Sequence, residues 1–144
     1  MLGVKIVCDG NLKEKYLKDA AAEYVKRLSR FCDLEITETP ESTPAKEKDA
    51  ILKNIKGKTV ALCVEGERMS SEKLAEFIEK TAQSSPKITF VIGGSDGLDG
   101  EVKSRADLKL SFSEMTFPHQ LMRIILLEQI YRAFTIINNI KYHK

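Results

Sequence analysis

The groups in this 144-residue chain best suited to chemistry are its two histidines, His119 and His143, and a run of eight residues, Gly93-Gly-Ser-Asp-Gly-Leu-Asp-Gly100, that holds half of its eight glycines. Histidine is the side chain whose ordinary titration falls near neutral pH, so a histidine free of packing duties is a candidate for proton transfer. His143, beside Tyr142, is that candidate, with Tyr142 and Arg132 able to orient an acidic group or a phosphate. Glu128 and Arg132 stand four apart, the spacing of an intrahelical ion pair, and that is their simplest reading. His119 falls in the first turn of a helix pattern and reads as structural. The glycine run lets the backbone approach a ligand and offer free N–H groups. It matches neither a dinucleotide fingerprint nor a P-loop, and taken alone it needs no more than a tight turn.

A second connection mixes hydroxyls with apolar surface. Ser111, Ser113 and Thr116 alternate with Met115 and Phe117 just before Pro118. The mixture suits an adenosine-like ligand, and equally a cap and hydrophobic staple for the helix that follows. Glu65 and Glu67 could reach a ribose or a cation, although a solvated loop explains them as economically. No Ser/His/Asp or Cys/His array is present, and no metal-ligand spacing.

These groups need elements to carry them, and strand and helix patterns alternate along the chain. Strands are expected at residues 4–8, 34–37, 59–64, 88–92 and 108–112. Asn11, with Glu14 in capping-box spacing, predicts a helix whose apolar positions, Tyr16, Leu17, Ala20, Ala21, Tyr24, Val25 and Leu28, face the core. Further helices are expected at 45–55, from Ser70 or Ser71 onward, and at 101–105. The run 59–64 is apolar throughout, as in a strand buried on both faces of a parallel sheet, and Glu65-Gly66-Glu67 is expected to end it. The alternation argues for an α/β fold in one domain, a mainly parallel sheet with helices on both faces. In such sheets ligands bind beyond the carboxyl ends of the strands, which are the turns after Val64, Ile92 and Phe112. The last helix, expected from Pro118, is apolar around most of its circumference, and one sheet cannot cover it, so a homodimer is expected.

Composition narrows the class. A chain of this length buries roughly two-thirds of its unfolded surface, enough for a core without staples. Three scattered cysteines, Cys8, Cys32 and Cys63, exclude a disulfide framework and read as small buried hydrophobes. The start of the chain lacks a secretory pattern and no run is long enough for a membrane span, so a cytoplasmic location is expected. A net charge of +2 makes no general electrostatic case for a nucleic-acid partner.

Four ordered blocks carry a resemblance that no single one would. Phe90-Val-Ile-Gly-Gly-Ser-Asp-Gly97, Ser111-Phe-Ser-Glu-Met-Thr-Phe-Pro-His-Gln120, Glu128-Gln-Ile-Tyr-Arg-Ala133 and Tyr142-His-Lys144 together resemble the RlmH family of SPOUT-class methyltransferases. The similarity covers essentially the whole chain. It implies a homodimeric enzyme with a C-terminal trefoil knot, using S-adenosylmethionine and no metal. The family methylates N3 of a pseudouridine in bacterial large-subunit ribosomal RNA, on assembled ribosomes. Motif position assigns the cofactor to Leu62, Gly93, Gly94, Phe112, Ser113, Glu114, Met115, Thr116 and Phe117. The resemblance makes His143, with Tyr142 and Arg132, the expected catalytic group. Where the family has a Gly-x-Pro turn this chain has Asn139-Ile-Lys141. Asn tolerates the left-handed conformation, so the helix stop is expected to survive, with a looser segment after it. Residues 43–58 are shorter than is common, which trims a surface helix. A non-catalytic nucleotide-binding dimer, and a SPOUT methyltransferase with another RNA target, are the competing readings.

Overall fold

A computed structural model describes residues 1–144. Five parallel strands, β1 (Gly3–Asp9), β2 (Asp33–Thr39), β3 (Lys58–Arg68), β4 (Lys87–Ile92) and β5 (Leu108–Ser111), form one sheet in the order β2-β1-β4-β3-β5. The α/β class and the parallel sheet expected from the sequence are what the chain forms. Side chains alternate across each strand, so neighbours in sequence feed different cores. Val4, Ile6, Cys8 and Phe90 pack beneath α1 (Lys15–Leu28), α3 (Ser71–Ser84) and α5 (His119–Ile137). Val7, Ala61 and Val91 pack on the opposite face with Ile51 of α2 (Pro44–Asn54) and Val102 of α4 (Gly100–Arg105).

Two boundaries differ most from the sequence reading, each because a tertiary contact outweighs a local signal. The first helix begins at Lys15 rather than after Asn11, and its N-cap, Glu14, makes no side-chain cap bond. Leu12 is instead buried in the core, and the Lys13 N–H donates to Gln120 Oε1 at 3.1 Å, so this stretch is docked on α5 as a loop. Tyr16 and Val25, expected in the core, are exposed. The third strand does not end at Glu65. After a bulge between Leu62 and Glu67 it pairs again with β5, Glu67 opposite Leu110 and Arg68 opposite Ser111. Gly66 makes that path possible, since a Cβ there would lie 2.7 Å from the Lys109 carbonyl carbon.

Other local signals hold. Thr43 and Ser70 cap α2 and α3 by accepting from the N–H groups of Lys46 and Lys73, and Asp99 caps α4 through the Glu101 N–H. α5 starts one residue later than expected, with Pro118 as its N-cap. It ends as the sequence predicts: Asn139 takes φ 55°, the Asn139 N–H donates to the Ile136 carbonyl, and the Ile140 N–H to that of Thr135. These two bonds make a Schellman stop. Asn139→Val should therefore destabilise the fold by about 1–2 kcal/mol, a β-branched residue being strained at positive φ, and Asn139→Gly should be near neutral. Chemical denaturation of the two variants checks this.

α5 is the pillar of the fold. Leu126, Leu127, Ile130 and Ala133 are fully buried against α1, α3 and the sheet. Arg123, also buried, donates to Glu38 Oε2 at 2.6 Å and to the Gly10 carbonyl at 2.8 Å, tying α5 to the ends of β1 and β2. Removing one partner of a buried pair costs about 3–5 kcal/mol, but Glu38 is 42 % exposed and can rehydrate. Arg123→Ala should therefore cost about 3 kcal/mol, at the lower end of that range, read as a fall in the thermal unfolding midpoint. On its outer side α5 leaves Leu121 exposed and Ile124 and Ile125 half-buried. No helix is long and apolar enough to cross a membrane.

Candidate active site

The carboxyl ends of β3, β4 and β5 open into a cavity of about 700 Å³. This volume falls in the range of roughly 300–1,000 Å³ typical of small-molecule sites. Of the nine residues expected at a cofactor, eight line it: Leu62, Gly93, Gly94, Phe112, Ser113, Met115, Thr116 and Phe117. Glu114 does not. Its side chain points to the surface, 3.3 Å from Arg68, both largely exposed.

The walls are close-fitting backbone. A Cβ on Gly93 would lie 2.7 Å from the Gly97 carbonyl group, and a Cβ on Gly94 would collide with the Asp9 carboxylate. Gly97 closes the turn, its N–H donating to the Gly94 carbonyl at 3.0 Å with φ +81°. Bare backbone at the end of a strand is what lets a flat ligand lie against the sheet. Across the cavity, Ser111 Oγ donates to the Ser113 carbonyl and Ser113 Oγ accepts from the Met115 N–H, both at 3.0 Å. These hydroxyls shape the loop. Pro118 provides no side-chain cap, so the cap reading of this loop falls away and its cavity-lining role remains.

Several lining residues escaped the sequence reading. Cys63 is half-buried at the wall, whereas Cys8 and Cys32 are the buried, inert thiols expected, pushed up to about 11 and about 12 by burial. Lys103 Nζ meets Glu65 Oε1 at 2.6 Å at the cavity, and this hydrogen bond holds the Glu65 carboxyl below its usual range. His119, read as structural, lines the cavity with its Nε2 buried and without a partner. Only its place beside the hydroxyl loop hinted at that.

The expected catalytic residues form a separate cluster on the last turns of α5. Arg132 clamps Glu128 through Nε and Nη2, at 3.1 and 2.7 Å to Oε2, confirming the intrahelical pair. Tyr142 donates its O–H to the same oxygen at 2.8 Å. Burial, then that bond, push its phenol well above the usual range, so Tyr142 is a hydrogen-bond donor and not a phenolate. Arg132 Nη1 lies 3.0 Å from His143 Nδ1, and His143 Nε2 lies 3.1 Å from Glu72 Oε1. A guanidinium has no acceptor, so Nδ1 accepts from Arg132 and the ring proton sits on Nε2, donating to Glu72. The Tyr142 ring packs edge-on against Tyr131 at 4.8 Å. Tyr142 and His143 are thus held by side-chain contacts, where the lost proline suggested a looser segment. None of Arg132, Tyr142 and His143 lines the cavity of its own chain.

Comparison with known proteins gives this geometry its setting. The family model described as "Predicted SPOUT methyltransferase" matches residues 2–143. "Ribosomal RNA large subunit methyltransferase H 1" of Clostridium perfringens is 49% identical over 159 aligned positions, covering 99% of this chain and all of the relative. "Ribosomal RNA large subunit methyltransferase H" of Caldicellulosiruptor saccharolyticus is 47% identical over 153 positions, 98% of this chain and 99% of its own. Among solved structures, a probable methylase family protein from Haemophilus influenzae superposes with a TM-score of 0.61 at 15% identity, over 98% of this chain and 70% of that one. A putative methylase family protein from Neisseria gonorrhoeae gives 0.55 at 14% identity, over 89% and 81%. The structural likeness shows a shared fold, and the sequence match along nearly the whole length shows the kinship: the chain belongs to the SPOUT methyltransferase family.

Proposed function

We propose that this protein transfers a methyl group from S-adenosylmethionine to N3 of a pseudouridine in bacterial large-subunit ribosomal RNA, acting on assembled ribosomes in the cytoplasm. The observation that carries the reading is the glycine-walled cavity at the ends of β3, β4 and β5. It is lined by eight of the nine residues the family resemblance assigns to the cofactor, in a chain 49% identical to a ribosomal RNA methyltransferase. Gly93 and Gly94, packed on Gly97 and Asp9, supply a backbone wall, while Met115, Thr116 and Phe117 supply an apolar and a hydroxyl wall.

The bound donor supplies an already electrophilic methyl group, so the protein's work is alignment and removal of the imide proton. The C–S bond breaks as the N–CH₃ bond forms, and the N3 proton passes to a base or to water. His143 is the base in this reading, with a condition that the geometry imposes: Nδ1 is free to take a proton only once Arg132 has turned away. An RNA phosphate arriving beside Arg132 provides that release, because a guanidinium binds phosphate as readily as it binds Glu128. Tyr142, kept protonated, orients the base.

The separation of the tail cluster from the cavity favours a homodimer in which one subunit's residues 140–144 face the other's donor. The exposed Leu121 and the half-buried Ile125 on α5 supply apolar surface for that contact. The C-terminal trefoil knot belongs to the same reading. Mass mapping of ribosomal RNA from cells with and without the gene tests the assignment. Loss of one methyl group from a single large-subunit pseudouridine is the expected result, and an unchanged map overturns it.

A further inference from the structure

The end of β1 holds a buried acid that neither the cavity lining nor the tail uses. Asp9 is 4 % exposed, Glu47 3 % and Arg123 2 %. Asp9 Oδ1 is buried without any hydrogen-bond partner, and Oδ2 presses on Gly94 so closely that no side chain fits there. Gly94 has no positive φ to require glycine, so the Asp9 carboxyl is the reason a glycine stands in the cavity wall.

The groups facing Asp9 are mostly acidic. Glu47 faces it from α2, Glu41 from the loop before α2, and Arg123 from α5. Arg123 is already engaged by Glu38 and the Gly10 carbonyl, and Glu47 is fixed by the Ser42 N–H at 2.7 Å. A second carboxylate at one buried spot opposes ionisation, and Asp9, whose buried Oδ1 accepts no hydrogen bond that would stabilise the anion, holds its proton. Burial first, then Glu47, push the Asp9 carboxyl up to about 7.

We propose that Asp9 is a positioning residue for the methyl-donor site: its protonated carboxyl, facing Glu47, is the floor on which the Gly94 backbone rests, and ionisation of that floor displaces the wall and weakens donor binding. The inference rests on the reading of the cavity as the donor site. Asp9 is distinct from the residues that touch the donor, and it acts through Gly94.

The direction of the pH effect follows. Between the ordinary carboxylate value of 3.8 and about 7 the folded protein binds a proton that the unfolded chain does not. The associated stability is present at low pH, falls as pH rises through this window, and is gone above it. Donor affinity, which needs the neutral floor, should fall by about tenfold between pH 6 and pH 8, the ratio of protonated fractions for a group titrating near 7.

Calorimetry with S-adenosylhomocysteine from pH 5.5 to 8.5, on the full-length protein, tests this. Asp9→Asn, which mimics the neutral acid, should bind with nearly pH-independent affinity. Glu47→Gln, whose amide donates to an ionised Asp9, should move the wild-type midpoint to lower pH. Thermal unfolding of the ligand-free proteins gives an independent readout, the wild type losing stability toward pH 8 relative to Asp9→Asn. If wild type and Asp9→Asn show the same affinity profile, the inference is overturned even if their stability profiles differ, because Asp9 is then structural only. If no variant binds S-adenosylhomocysteine at any pH, the donor-site reading itself fails and takes the inference with it.

Discussion

Gly93→Ala is expected to weaken binding of S-adenosylmethionine by about 10- to 100-fold while leaving the protein folded. The added methyl group would lie 2.7 Å from the carbonyl carbon and oxygen of Gly97 and 3.0 Å from Leu98 Cγ. The first two are backbone in a turn closed by its own hydrogen bond, so they cannot step aside as a flexible side chain would. Relief comes only by moving residues 93–97, which are the cavity wall. Overpacking of this kind costs about 1–3 kcal/mol, and because the strain sits in the wall the loss appears in affinity, on the order of 10- to 100-fold or more. Gly100→Ala is the control. Nothing lies within 4 Å of a Cβ there, the residue opens α4, and it does not line the cavity. Unchanged binding is expected for it, read by calorimetry beside Gly93→Ala. Normal affinity in Gly93→Ala would remove the glycine wall from the donor site.

His143→Ala should lower methyl transfer to ribosomes by about 10²–10⁴-fold, the usual contribution of a positioned acid–base group, with donor affinity near normal because His143 does not line the cavity. Full activity would sink its assignment. Arg132 and Glu72 stay in place in this variant, so a folding defect is not expected from the loss of two peripheral bonds. The same variant tests the shared site. Gly93→Ala subunits keep the tail and His143→Ala subunits keep the cavity, so a mixed dimer has one complete site if the tail reaches across. At a donor concentration too low for Gly93→Ala to turn over, co-refolding equal amounts of the two variants should restore about a quarter of wild-type activity, half the dimers being mixed and each carrying one intact site of two. Activity that stays at background would place each tail with its own cavity.

The two glycine-wall residues illustrate how far reading along the chain reaches. Gly93-Gly94 after an apolar run was recognisable as a turn at a strand's carboxyl end, and its resemblance to a known block made it a cofactor turn. Why Gly94 is glycine was not legible, because the atom that excludes a side chain belongs to Asp9, 85 residues earlier. His119 was passed over for the same reason: local spacing marks a first helical turn, and only the sheet's end beneath it makes a cavity. The Asn11 cap and the stop at Glu65 went the other way. Both were sound local signals, overruled by burial of Leu12 and by the free edge that β5 offers to Glu67 and Arg68.

The sequence by itself determined what depends on neighbours a few residues apart: strand and helix alternation, the cap at Ser70, the left-handed Asn139, the Glu128–Arg132 pair and the parallel α/β class. It also carried the family, because four motif blocks in order are a property of the chain and not of its folding. The tertiary structure alone decided which groups meet. It gathered the cavity from three strand ends, turned Glu114 out of it, set Asp9 against Gly94, and tied His143 between Arg132 and Glu72 rather than over the donor site. Those outcomes rest on the order β2-β1-β4-β3-β5 and on the burial of α5 between α1 and α3. Both are long-range packing choices, settled by the total apolar surface removed from water, and no window of neighbouring residues encodes that sum.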